Sequence, residues 1–209
     1  MKFIKILYLL VCVFPIAARA YDDCLPYKLT PKITLDVPEW SKEVVQPLQH
    51  MDLLHGNVLA TLVDNYDIVA DITNIEDGYC VSLKSVDATV GYSNFLVQID
   101  IRHIPESCTY NAILSHEDQH IRAYLSVIDD FTHELMNAVY TAADSITPIF
   151  VQNASDIDAA ITELNAELQA HPDLILVKQK IKAAEEIRNK RVDQHDHGQS
   201  LQKCFIQNK

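Results

Sequence analysis

Hydrophobic and polar positions along this chain change their period once, near Pro105. Before that point, residues 57–62, 68–75, 80–90 and 95–101 are rich in Val, Ile and Thr and predict four short strands. The clearest is 95–101, where Phe95, Val97, Ile99 and Ile101 alternate with polar residues along one face of a half-buried strand. Asp77-Gly78 and the stretch Gly91 to Asn94 read as the turns between them. Residues 30–38, bounded by prolines, predict one more short strand. Residues 40–55 have no clean period and allow a helix interrupted at Pro47.

After Pro105 the spacing becomes helical. Ile113, Leu114, Ile121, Leu125, Ile128, Leu135 and Val139 predict one long amphipathic helix over 109–143. Ser155-Asp156 can cap a second helix from Ile157, and Pro172 breaks or restarts it. Residues 174–191 form a third helical run, with Lys and Arg in the last turns where the helix dipole favours them. Strands followed by helices predict an α+β domain with a β-rich N-terminal half, rather than alternating βαβ units.

The N-terminus sets the compartment. Lys2 and Lys5 precede an apolar run over 6–17, and Ala18-Arg19-Ala20 offers a cleavage site. Residues 1–20 therefore read as a signal peptide, too short in its apolar part to be a comfortable membrane span. The mature chain, 21–209, suits a single domain in the periplasm or outside the cell. A net charge of −12 argues against nucleic acid or an anionic membrane as partner. Four cysteines remain after cleavage, an even number that suggests two disulfides in an oxidising compartment. Cys80–Cys108 would close the β-rich segment, and Cys24–Cys204 would tie the two ends together. A cysteine-bound zinc is disfavoured, since no CxxC spacing occurs.

Residues 116–120 read HEDQH, an HExxH pattern inside the strongest helical stretch. On a helix, positions i and i+4 share a face, so His116 and His120 can bind one Zn2+ through their ring nitrogens. Glu117 would then act as general base on a water polarised by the metal, which is a metallopeptidase arrangement. The bland alternative is a pair of ordinary helix histidines, although the apolar residues around them indicate a packed helix. A third ligand is needed. His133 lies too far along the helix and is rotated away. The stretch with Asp193, His195, Asp196 and His197 could supply one, or could be no more than a solvated helix end. Glu163 and Glu167 are alternative carboxylates. Tyr110 and Tyr124 flank the motif and could steady a tetrahedral intermediate, though core packing is the commoner use of such residues.

The segment CTYNAILSHEDQH, residues 108–120, resembles a bacterial family of exported HExxH proteins regarded as zinc-dependent proteases without an assigned function. The resemblance centres on 108–124 and extends to 191–204, where Asp193 and His197-Gly198 match; Val192 departs from the aromatic expected there. It implies a zincin-like helical half, with His116 and His120 as ligands and Glu117 as base. It favours His197 as the third ligand, with Asp193 second. The expected function is an exported zinc metallopeptidase acting on peptides or proteins. The alternative is a non-catalytic metal-binding or protein-interaction module of the cell envelope.

Overall fold

The computed structural model of the chain describes residues 23–47, 55–196 and 198–206. The signal peptide expected over 1–20 and the start of the mature chain at Tyr21 lie outside the described residues. Among the described residues, no helix is long and apolar enough to cross a membrane.

The β-rich half is built around one strand. Strand β4 (Gly78–Ile99) is paired over its whole length by antiparallel β3 (Gly56–Ile75). Three short strands line up end to end along its other side. β5 (Ile149–Val151) pairs antiparallel at Tyr79–Val81, while β1 (Lys32–Asp36) and β2 (Ser41–Val45) pair parallel at Ser85–Thr89 and Asn94–Gln98. β1 and β2 need no crossover helix, because the chain keeps its direction and merely detaches between Val37 and Trp40.

Strand pairing overturns three expectations. The four short strands are two long ones. Asp77-Gly78 does mark a turn, since Ile75 pairs with Gly78 across a two-residue hairpin. Gly91 to Asn94 does not. It lies inside β4, where Ser93 is an extra residue opposite the Thr61/Leu62 step, and Lys84 plays the same part opposite Val69/Ala70. These bulges explain the inward row of buried residues: Leu83 to Val86 and Tyr92 to Phe95 skip by three, and the rest of the row from Val81 to Ile99 skips by two. Gly91 is required for a different reason. Its φ is +154°, and a Cβ there would sit 2.8 Å from Pro38 Cδ, so the glycine leaves room for the break between β1 and β2. Likewise, residues 41–45 form strand rather than helix, because Val44 and Val45 complete the ladder against Val97 and Gln98.

Helix α1 (Cys108–Ser145) crosses the inward face of this sheet and covers it with Ile113, Ile121, Val127, Ile128, Leu135 and Val139. Ser107 caps it, its hydroxyl accepting from the Tyr110 amide at 3.2 Å. α2 (Ile157–Gln169) buries Ala160, Leu164 and Leu168. It starts where expected, but Asp156 makes no side-chain cap; its carboxylate accepts from Asn153 and Ser155 instead. Pro172 opens α3 (Pro172–Asp196), which lies along α1 and buries Leu174, Val177 and Ile181. α4 (Gln199–Ile206) ends the described chain. The architecture is thus α+β, with the sheet and helices sharing one core.

The two expected disulfides form with the other partners. Cys24 bonds Cys80, and Cys108 bonds Cys204, with Cα–Cα separations of 5.4 and 5.6 Å. Cys80–Cys108 is excluded by the length of β4. Cys80 stands near its start and Cys108 follows its end, on the order of 60 Å away at about 3.3 Å per residue. Cys80 instead holds the N-terminal segment against the sheet, where Ser82 also donates to the Tyr27 carbonyl at 2.8 Å. Cys108–Cys204 fastens α4 to the start of α1.

Replacing Gly91 with Ala is expected to lower the unfolding free energy by roughly 2–4 kcal/mol, since it adds both a clash and an unfavourable φ. Urea denaturation followed by circular dichroism measures it; an unchanged midpoint would contradict the assigned close approach.

Candidate metal centre

Because α1 is continuous through the motif, His116 and His120 stand one turn apart on the same face. Their Nε2 atoms are 3.2 Å apart and their ring planes cross at 81°. Asp193, near the C-terminal end of α3, brings Oδ1 to 3.1 Å from His120 Nε2 and 3.5 Å from His116 Nε2. Ligand atoms bound to zinc at about 2.0–2.1 Å in a tetrahedron lie about 3.3 Å from one another. The three observed separations therefore outline one face of such a tetrahedron, and the group can hold a metal ion.

Hydrogen bonding on the far side of His120 sharpens this. Asn189, one turn before Asp193, donates through Nδ2 to the Glu185 carbonyl at 2.9 Å. Its Oδ1 must then face His120 Nδ1, at 2.8 Å, and it can only accept. His120 therefore carries its proton on Nδ1, and in the neutral ring Nε2 presents a lone pair. A lone pair 3.1 Å from a carboxylate oxygen is repulsive without a positive charge between them, which a metal ion or a proton supplies.

Glu117 projects from the neighbouring helix position toward the sheet and is almost fully buried, at 4% exposure. Burial, and then the charges of Asp193 and Asp118, push its carboxyl up to about 7. Asp118 itself is held by Lys42 Nζ at 2.9 Å. The first residue of β3 makes room for Glu117: a Cβ on Gly56 would lie 2.5 Å from Glu117 Oε1 and 2.6 Å from Ile113 Cγ2. The two histidines, Glu117 and Asp193 face a cavity of about 470 Å³, which β3 borders through Gly56 and Val58.

Of the other candidates, His197 lies outside the described residues. Glu163 and Glu167 sit exposed on α2, away from this group. His133 is exposed with Nδ1 3.1 Å from Asn137, in keeping with its rejection. Tyr124 borders the cavity, but its ring packs at 5.0 Å on Tyr92. Tyr110 packs against the core.

Sequence reasoning missed Asn189. Its four-residue spacing to Asp193 on a helical run was the available signal. It also missed His55, which borders the cavity with Nδ1 3.0 Å from His103 Nε2. Those two residues are 48 positions apart, and no local spacing could join them. No protein-family model, curated protein or solved structure matches the chain.

The capacity for a cation is testable by titrating the protein, purified without a polyhistidine tag, with zinc ion. Asp193→Ala is expected to abolish stoichiometric binding. Asn189→Ala should weaken it roughly ten- to a hundredfold by freeing the His120 ring. Equal affinity in all three proteins would show that the triangle is not the binding site.

Proposed function

We propose that this chain is an exported zinc-dependent peptidase with a zincin-like catalytic helix. The observation that carries the reading is the triangle of His116 Nε2, His120 Nε2 and Asp193 Oδ1, with edges of 3.1 to 3.5 Å, set beside a buried glutamate in a cavity. The donor set, two imidazoles and a carboxylate, is one that zinc accepts in catalytic sites. A cavity opening on the triangle favours a catalytic centre over a closed structural one. Export fits the two disulfides.

Zinc, when bound, would polarise the scissile carbonyl and acidify the attacking water. The chain's own residues do the rest. Glu117 accepts the proton as the water oxygen bonds to the carbonyl carbon. It then delivers that proton to the amide nitrogen as the C–N bond breaks, leaving an amine and a carboxylic acid whose remaining proton, the second from water, passes to solvent or to the amine. Burial raises the proton affinity of Glu117 above that of a solvated carboxylate, which suits it to take a proton from water. Gly56 keeps the Glu117 carboxylate close against the strand, and Asn189 fixes the His120 ring through Nδ1. Asp193 closes the ligand set from α3, so the ligands come from two helices and the reacting group sits where both meet the sheet.

Glu117→Gln is expected to retain zinc while lowering kcat/KM on cleaved peptides by at least about a hundredfold. Removing zinc with a chelator should silence the wild type, and adding it back should restore turnover. Normal cleavage by Glu117→Gln would overturn the mechanism. A zinc-loaded wild type inert on a broad peptide library would favour a non-catalytic metal-binding module of the cell envelope.

A further inference from the structure

A second cavity, of about 560 Å³, lies next to the metal site and shares Val58 and Tyr124 with it. Ala60 and Leu62 of β3 form one wall, Val90 and Tyr92 of β4 the floor, and Ile181 and Lys182 of α3 the other wall. Its size suits a binding pocket, and its lining is mainly apolar. Leu62 stands opposite Tyr92 in the inward row of the sheet, yet it is 49% exposed, because the outer side of β3 is open. Among the described residues, β3 pairs with β4 alone. The end away from the metal site is closed: Lys178 pairs with Asp64 at 2.8 Å and lies over the Tyr66 ring at 4.5 Å. The result is a groove that begins at the metal site, follows β3 and stops.

We propose that this groove is a specificity pocket, taking a large apolar side chain of an extended peptide substrate several residues from the bond that is cut. This rests on the peptidase reading above. The distance follows from the strand. Gly56 touches Glu117 and so marks the reacting end. Ala60 and Leu62 lie four and six residues farther along β3, roughly 13–20 Å away at about 3.3 Å per residue. An extended chain needs four to six residues to cover that span. The Lys178–Asp64 pair blocks further travel, so the pocket reads one position rather than a long segment. The chain therefore discriminates by length and by a remote apolar residue. Short peptides reach the zinc without filling the pocket, while longer ones with Leu or Phe at the right distance gain affinity from burial.

Two measurements on the full mature chain test this. In the first, the wild type cleaves peptides lengthened one residue at a time on either side of the cut bond, with Phe or Ala at the added position. At four to six residues on one side, Phe is expected to raise kcat/KM about tenfold over Ala, mainly through KM. In the second, zinc-loaded Glu117→Gln binds fluorescein-labelled ten-residue peptides, read by anisotropy, with the same preference. Leu62→Asp, a change at a half-exposed site, should erase the preference. Leu62→Trp should fill the groove and weaken binding of the Phe peptides; thermal melts confirm that both variants fold. Cleavage that ignores length and remote side chains overturns the pocket and leaves the peptidase standing. Apolar-selective binding without any wild-type cleavage overturns the peptidase and leaves the pocket. Absence of both removes both.

Discussion

The lateral register of α3 against α1 is the constraint on which the site depends. Lys180 pairs with Glu134, Arg188 with Asp130 and with Ser126, Asn189 with His120, and Asp193 with His116 and His120. As the α3 number rises, the α1 number falls, which is the signature of an antiparallel helix pair in a single register. The buried side chains Leu174, Val177 and Ile181 supply the adhesion. The charged pairs are surface contacts, each contributing little to stability. A one-turn slip would carry Asp193 about 5.4 Å from the imidazoles and dissolve the ligand triangle.

This alters how the basic residues of α3 are understood. Their concentration toward the helix end suggests a complement to the helix dipole, and that effect operates over the last turn. Their partners are more specific than a dipole. Lys178 reaches β3 at Asp64, while Lys180 and Arg188 reach α1. In a chain with twelve excess negative charges, most cations have a choice of acid, so these pairings carry positional information only because packing limits the choice.

What the sequence made legible was local. The HExxH spacing, the long helix beneath it and the hairpin at Gly78 are fixed by residues within a few positions of one another, and each is found where the pattern places it. The misreadings needed distant parts of the chain. Gly91 looks like a turn glycine until Pro38 is seen against it. The cysteine pairing depends on β4 being one strand of 22 residues and not two shorter ones. Asp193 was one of several acidic candidates, and only the packing of α3 on α1 selects it. Asn189 has no chemistry to announce it, because its part is to orient another residue.

The same packing explains how a buried carboxylate is tolerated beside two further acids. Glu117 is enclosed by Ile113, the start of β3 and the ligand face, with Asp193 and Asp118 near enough to raise its proton affinity. Fully ionised and alone, it would cost several kcal/mol to bury. Lys42 tempers one neighbour, Asp118, from β2. The other, Asp193, faces two imidazole nitrogens, of which His120 Nε2 is left as an acceptor by Asn189. The fold therefore gathers acceptors around one point and provides no fixed cation of its own there among the described residues. A proton on His120 Nε2 or a metal ion relieves that repulsion, and the chemistry assigned to the site uses the second.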